Sequence, residues 1–361
     1  MHKVSIHPHW TIGVPAGGAL PPRLFTLLVQ VAESGSLAAA CQMSHLSYRH
    51  AWDLVRQGEA LLGASLLQME RGRGSRLTPL GEKLVWADRR IAARLAPVLD
   101  TLASELEVEL ERVLPQPQPQ ALLRVHASHG FAVEKLIERL RVAGVGIERK
   151  YISSQEAAAA LHDGACDIAG FHVPLGAFEA RAWDSYARWL DPQEHVLIDI
   201  TKRRQGLMLP AGNPKKLYDL GDLVRPGVRF INRQRGSGTR FLLDCLLEQA
   251  GVDPARIVGY EQAEFTHAAV AAFVGSGMAD AAFGLETPAR HFKLEFIPLA
   301  NERYFLTCRR TALDHPGVQQ LLAVLRTEDF RAEVDRLPGY DARRCGQTQA
   351  LGEVLAEAGL G

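Results

Sequence analysis

Between Pro115 and Gln120 the chain reads PQPQPQ, and no other stretch limits the fold as much. Alternating proline removes backbone donors and favours extended polyproline II, so no helix can run through it. The chain therefore divides there into regions of different character. Before the seam, apolar residues recur at helical spacing. After it, short apolar runs alternate with amphipathic ones. The 361 residues suffice for two or three domains with separate cores. The expected division is a tail over 1–22, a small helical domain over 23–80, a long helix over 81–114, a hinge over 115–120 and a two-lobed α/β domain over 121–361.

Composition excludes more than it selects. The chain is 47% hydrophobic and 23% charged, with zero formal net charge, as in an ordinary globular protein. Locally the balance shifts: Arg23 to Arg94 holds ten Lys/Arg against six Asp/Glu. Five cysteines without C-x-x-C spacing argue against a disulfide framework or a structural zinc site. The stretch MHKVSIHPHW lacks a signal-type apolar core, and no run approaches the roughly 20 apolar residues of a membrane span. A cytoplasmic protein with no membrane partner is expected. His2, His7 and His9 read as part of a polar tail rather than a metal site. No G-x-S-x-G, H-E-x-x-H, Walker A or strand-borne G-x-G-x-x-G occurs, so no catalytic residue, metal or cofactor is expected.

In FTLLVQVAESGSLAAACQMSHLSYRHAWDLV, a first helix over about Arg23–Glu33 stops at Gly35. Ser36 can cap a short second helix, and after a tight turn at Ser44–Leu46, Ser47 can cap a longer third. That is a helix-turn-helix, with Tyr48, Arg49 and His50 in the first turn of the helix that offers side chains to base edges. Trp52 and Leu54 read as core and Asp53 as a solvated residue. Two strand-like pieces then flank RGRGS, a wing whose Arg71, Arg73 and Arg76 suit phosphate oxygens or a minor groove, or serve solubility alone.

GSLAAACQMSHLSYRHAWDLV followed by GRGSRLTPLGEKL resembles the winged helix-turn-helix of the LysR and ModE groups of bacterial regulators. SYRHAWDLV is closer to the ModE pattern, and RLTPLGE is common to both. The resemblance covers roughly the first 110 residues and implies double-stranded DNA as a partner. From about Gly81 to Leu114, Leu84, Ile91, Leu95, Val98, Leu102, Leu106, Leu110 and Val113 form an apolar stripe. It can pack on its own domain or form a homodimer seam; dimerisation is preferred, and the resemblance makes this the dimerising linker helix. Dimers can pair further into tetramers.

After the hinge, ALLRVHAS, IERKYISS and CDIAGFHV read as strands separated by two helices, the signature of a parallel sheet. GVRFINRQ, ADAAFGL and EFIPLA with two further helices form a second such block, and two lobes imply a cleft. The junctions carry polar groups: Ser128 and His129, Ser153 and Ser154, His172, and Thr266 with His267. Ligands of open α/β sheets bind beyond the carboxyl ends of strands. The stretch NRQRGSGTR leads into an apolar helix, where unpaired N–H groups favour an anion. Gly236 and Gly238 allow close approach; Arg235, Ser237, Thr239 and Arg240 add donors. Asp280 reads as a strand-start residue.

The region from about Leu122 to Arg309 is similar to the type 2 periplasmic-binding-protein fold, through RRQGLMLPAGNP, FINRQRGSGTRFLLD, THAAVAAFVGSGMADAAFG and FIPLANERYFL. Ser-Gly-Thr at a helix start also resembles molybdate- and tungstate-binding proteins. Carried over, the resemblance implies Arg204, Gln205, Ser237, Gly238, Thr239 and Thr266 as pocket residues. Together the resemblances imply a ligand-responsive transcriptional regulator sensing molybdate or tungstate and controlling molybdoenzyme or molybdenum-cofactor genes. Two alternatives stay open: the same regulator sensing formate or another small carboxylate, or a cytoplasmic molybdate- or molybdopterin-binding protein without specific DNA binding.

Overall fold

The computed structural model describes residues 3–13, 17–70, 74–114 and 122–359, with the backbone alone for Met69 and Glu70. The hinge over 115–120 and the wing residues Arg71 and Arg73 lie outside them. Contacts group residues 7–95 into one unit and residues 96–361, with 1–6, into another.

The first unit holds α1 (Pro22–Ser34), α2 (Leu37–Ser44), α3 (Tyr48–Leu62), an antiparallel hairpin of β1 (Leu67–Glu70) and β2 (Gly74–Leu77), and the start of α4 (Pro79–Val113). Local chemistry places the helix ends. Gly35 takes the left-handed conformation with φ 73° and closes α1. The Ser36 hydroxyl accepts from the Ala39 N–H to open α2, and Ser47 accepts from the His50 N–H to open α3. Leu24, Leu27 and Leu28 of α1 pack with Leu37 and Ala40 of α2 and with Ala51, Leu54 and Val55 of α3. A β-carbon at Gly58 would collide with Leu24, so the α1–α3 crossing needs glycine there. The expected tail is partly packed. Leu20 is buried, the Trp10 ring lies 4.0 Å from that of Phe25, and Trp10 Nε1 donates to Asp88 at 2.8 Å.

In the second unit, β3 (Leu122–Ala127), α5 (Phe131–Val142), β4 (Gly146–Tyr151), α6 (Ser154–His162), β5 (Ile168–Pro174) and α7 (Glu179–Tyr186) begin one lobe, with β3 parallel to both β4 and β5. The chain then crosses along β6 (His195–Leu209). The other lobe holds β7 (Phe230–Arg233), α8 (Gly238–Gln249), β8 (Ala263–Glu264), α9 (His267–Gly275), β9 (Ala281–Leu285) and α10 (Glu286–His291). The return strand β10 (Glu295–Arg309) runs antiparallel to β6, with register shifts between Pro298 and Ala300 and between Tyr304 and Phe305. Then α11 (Pro316–Leu325), α12 (Glu328–Asp335), β11 (Tyr340–Asp341), β12 (Thr348–Ala350) and α13 (Leu351–Glu357) follow, β11 and β12 pairing with β6. The main strand order is β4-β3-β5-β10-β6-β9-β7-β8.

The two strands that cross between lobes are 15 residues each, so β10 far exceeds the short strand expected at EFIPLA. Ile198 and Ile200 of β6 join the core around Leu123 and Ile147. Leu207 and Leu209, further along the same strand, join the core around Phe230 and Leu242. The fold is a two-lobed periplasmic-binding-protein-like α/β domain preceded by a winged helix-turn-helix. All five cysteines are buried free thiols. Among the described residues no helix is long and apolar enough to cross a membrane.

Candidate functional site

The site is built on β6 and β10. Strand side chains alternate, so Arg203 and Gln205 share a face and Arg204 takes the other. Arg203 stands opposite Glu302 in the register. Its Nε donates to Glu302 Oε1 at 2.5 Å, and Gln205 Nε2 donates to Glu302 Oε2 at 2.5 Å and to Thr239 Oγ1 at 3.2 Å. The Arg203 guanidinium also lies 4.7 Å from the centre of the Tyr304 ring. Arg204, expected in the pocket, points away and pairs with Glu286 at 2.7 Å with half its side chain exposed.

A second buried arginine comes from the stretch NRQRGSGTR. Arg233 ends β7 at 3% exposure, donates through Nη2 to the Phe265 carbonyl at 2.8 Å, and keeps Nη1 buried without a partner. Burial and then the charge of Arg203 pull its pKa down to about 9, against the opposing pull of Glu302. An unpaired buried donor is costly, so this nitrogen is a candidate partner for a water or a bound acceptor.

Two histidines complete the cluster. His172 on β5 places Nδ1 3.2 Å from Ser154 Oγ and Nε2 3.9 Å from Glu302 Oε2. Burial lowers its pKa to about 4, with Glu302 opposing and the two arginines adding to the fall, so the ring is neutral. His267, at the start of α9, is likewise held well below its usual range by burial and by Arg233 and Arg203, and its Nδ1 has no hydrogen-bond partner. Glu302 stays ionised: burial raises its pKa, but Arg203, His172 and Gln205 outweigh that.

The other junction residues divide between scaffold and site. Ser153 caps α6 in a box with Glu156, Thr266 caps α9 by accepting from Ala269 N–H at 2.9 Å, and Ser237 caps α8 by accepting from Arg240 N–H. Ser128 Oγ is 3.4 Å from the Tyr304 hydroxyl. His129 turns to the Glu134 carboxylate and packs against the Tyr151 ring. Asp100, His129 and Glu134 offer ligand atoms within 4.8 Å of one another, but Arg149 already holds Asp100 at 2.9 Å.

At the start of α8, Gly236 sits at φ 80° and Gly238 lies directly against His172. A cleft of about 430 Å³ opens there, lined by His172, Tyr186, Ser237, Gly238, Arg240 and Tyr260. The two arginines expected to meet an anion are already engaged. Arg240 lies 3.9 Å over the Tyr260 ring and pairs with Asp244 at 3.2 Å and Glu261 at 3.4 Å; exposed Arg235 pairs with Glu261 at 2.9 Å. Asp280 binds Arg229 and Lys215, as a strand-start residue should.

Sequence reasoning passed over Arg203, Arg233 and Glu302. Arg203 opens RRQGLMLPAGNP and Arg233 sits within FINRQRGSGTRFLLD, but only a cross-strand partner 99 residues away makes Arg203 legible.

In the first unit, Ser47, Tyr48, Arg49 and His50 are exposed on the first turn of α3, while Trp52 is half-buried beside the core. Arg56 was missed: it is exposed, and with Arg49 and Asp53 it follows helical spacing along one outward stripe. Arg76 is exposed on β2 opposite Gln68. Gly74, at φ 92°, brings the hairpin against Ser36.

The two domains match two different family models. Residues 22–82 match the bacterial regulatory helix-turn-helix protein of the lysR family, and residues 137–326 match the PBP superfamily domain. The chain belongs to the PBP superfamily and carries a helix-turn-helix domain of the lysR family ahead of it. It is similar to the uncharacterized protein YvgK of Bacillus subtilis (strain 168), at 34% identity over 55% of this chain and 64% of that one. It is 33% identical to the molybdenum-pterin-binding protein MopB of Rhodobacter capsulatus over 27% of this chain and 38% of that protein. The solved structure of CbnR, a LysR family transcriptional regulator, is 17% identical, covering 83% of this chain and 97% of CbnR with a TM-score of 0.38. The chain thus spans just under two thirds of the length of YvgK.

Proposed function

We propose that this chain is a DNA-binding transcriptional regulator whose two-lobed domain closes on a small anion, with molybdate or tungstate the first effector to test. The observation that carries the reading is Arg233, buried beside Arg203 with a guanidinium nitrogen that nothing satisfies. The N-terminus of α8, brought against His172 by Gly238, adds backbone donors. Similarity to a molybdenum-pterin-binding protein supports the metal oxyanion and control of molybdenum-related genes. The effector must bind one lobe arrangement better than the other, since only that difference can act on DNA binding.

A second reading rests on charge. Two buried guanidiniums against the single Glu302 carboxylate leave one positive charge, which suits formate or another small monocarboxylate better than a dianion. A binding protein without DNA recognition is the remaining alternative, and retention of specific genomic fragments separates it from both. The exposed stripe of α4 suits a homodimer on an imperfect palindrome, with pairing into tetramers a further step. Five free thiols accord with a cytoplasmic location.

The test is a thermal-shift titration of the full chain with molybdate, tungstate, sulfate, phosphate and formate at fixed ionic strength. A ligand at 100 times its Kd adds about 2.7 kcal/mol. A rise with molybdate or tungstate, lost in Arg233→Gln, supports the oxyanion reading. A rise with formate alone replaces the signal and keeps the regulator. No response to any anion removes the cleft reading.

A further inference from the structure

The reverse face of β6 and β10 carries a second charged pocket that the cleft does not use. It encloses about 410 Å³ beside Leu175 and is lined by Asp199, Lys202, Arg303, Asp341, Arg343 and Arg344. Lys202 precedes Arg203 on β6 and takes the other side of the pleat, so this face is the opposite of the one bearing Arg203 and Glu302.

Its charges do not balance internally. Asp199, 3% exposed, holds Arg303 and also Arg344 at 3.2 Å. Asp341 is taken by Arg343, whose Nη2 stands 2.6 Å from Oδ2. Three arginines therefore ion-pair with both carboxylates, and Lys202 acts on Asp341 only through its charge. In register it sits between Arg303 on β10 and Asp341 on β11. Its ammonium makes no hydrogen bond or ion pair among the described residues. A like-charged pair directly across a ladder is destabilising, so Lys202 facing Arg303 calls for a counter-ion. Arg303 adds a second sign: its Nε is buried with no hydrogen-bond partner, on a side chain only 17% exposed. Among the lining residues four cations stand against two carboxylates, a formal surplus of two, with Asp335 acting on Arg343 from outside the lining.

We propose that this pocket is a second anion site, separate from the cleft, that takes a small organic dianion of the dicarboxylate or phosphate-monoester kind. Two negative charges match the surplus, and the volume exceeds what a bare tetrahedral oxyanion needs. The donors are those that hold such groups well: guanidinium forks for paired oxygens and an ammonium as a point charge. Bound there, the dianion bridges β6, β10 and the turn after β11, bracing from behind the two strands that carry Arg203 and Glu302.

Isothermal titration of the full chain with succinate and with glycerol 3-phosphate, at constant ionic strength and with formate as the monoanion control, tests the site. Saturable binding of at least one dianion is expected, weakened tenfold or more by Lys202→Gln and by Arg343→Gln. Lys202 and Arg343 both reach solvent, so these variants should keep the wild-type circular dichroism and melting profile. The variant Arg233→Gln, in the buried cluster with Arg203, should change the dianion affinity less than twofold. Succinate and glycerol 3-phosphate each tested alone tell carboxylate from phosphate ester. The proposal is overturned by failure of both dianions to bind, by unchanged affinity in Lys202→Gln, or by loss of binding in Arg233→Gln, which would move the dianion to the buried cluster around Arg203 and Arg233.

Discussion

A β-carbon on Gly238 would collide with Nε2 of His172. The N-terminus of α8 from one lobe therefore reaches the β5 imidazole of the other only because residue 238 has no side chain. Gly238→Ala should force the helix start or the ring aside, at about 1–3 kcal/mol as in other overpacked interiors. A lowered urea midpoint, together with loss of any anion-induced thermal shift, is the expected result. An alanine variant as stable and as responsive as wild type would show that this approach is not needed.

Arg233 and Arg204 make a matched pair for testing the pleat. Arg233→Gln removes the buried guanidinium with the unpaired nitrogen and should weaken anion binding at least tenfold. Arg204→Gln breaks only a half-exposed pair with Glu286 and should leave affinity within twofold. Titration of both variants with the same anion reads the difference, and the reverse order would contradict the placement of the site.

The neutral histidine gives the domain an acid limit. In the unfolded chain an imidazole takes its proton near pH 6.5, whereas burial holds His172 neutral until about 4. Between those values the unfolded state binds the extra proton, so stability falls as pH falls. His172 alone contributes a loss of up to about 3 kcal/mol from pH 7 to pH 4, since each tenfold difference in proton affinity between the two states is worth about 1.4 kcal/mol. His267 is displaced in the same direction and adds to the loss. Urea denaturation at pH 7, 6 and 5 should show a falling midpoint, and His172→Gln should flatten that slope; an unchanged slope would remove His172 as its source.

On α3, Arg49 and Arg56 share the outward stripe, whereas Arg76 lies on the hairpin. Arg49→Ala and Arg56→Ala should each cost about 1–3 kcal/mol of operator discrimination where a bidentate base contact is lost. Arg76→Ala should weaken binding to all sequences and lower the salt slope by about one. Gel-shift titrations against operator and scrambled DNA at two salt concentrations separate the two behaviours. Equal losses on both DNAs for Arg49→Ala would make it a phosphate contact instead.

Along α4, Leu95, Val98, Leu102, Leu106, Leu110 and Val113 are all exposed at spacings of three and four residues. A second copy of the helix is the partner expected to cover such a stripe. The double variant Leu102→Glu, Leu106→Glu should therefore sediment as a monomer where the wild type sediments as a dimer. A wild type that remains monomeric at micromolar concentration would leave the stripe without that role.

Short-range capping signals in the helix-turn-helix were legible. Ser36 and Ser47 cap the helices assigned to them, because a cap is a contact between a side chain and a backbone N–H three residues on, whereas Ser153, Ser237 and Thr266, expected in a ligand pocket, also prove to be caps. The βαβ alternation disclosed two lobes for a similar reason, since hydrophobic period and glycine stops act over a few residues. The sequence by itself thus determined the helix-turn-helix, the polar strand ends and most elements, but not the two 15-residue crossing strands. Only the tertiary structure decided which arginines form the site. Arg203 and Arg204 are equivalent on paper, and the register of β6 against β10 alone turns Arg203 to Glu302 and Arg204 to Glu286. Arg235 and Arg240 were conspicuous in sequence yet are neutralised by Glu261 and Asp244, contacts that arise from chain closure. Charge is local in sequence, but its neutralisation depends on what folding brings within a few ångströms.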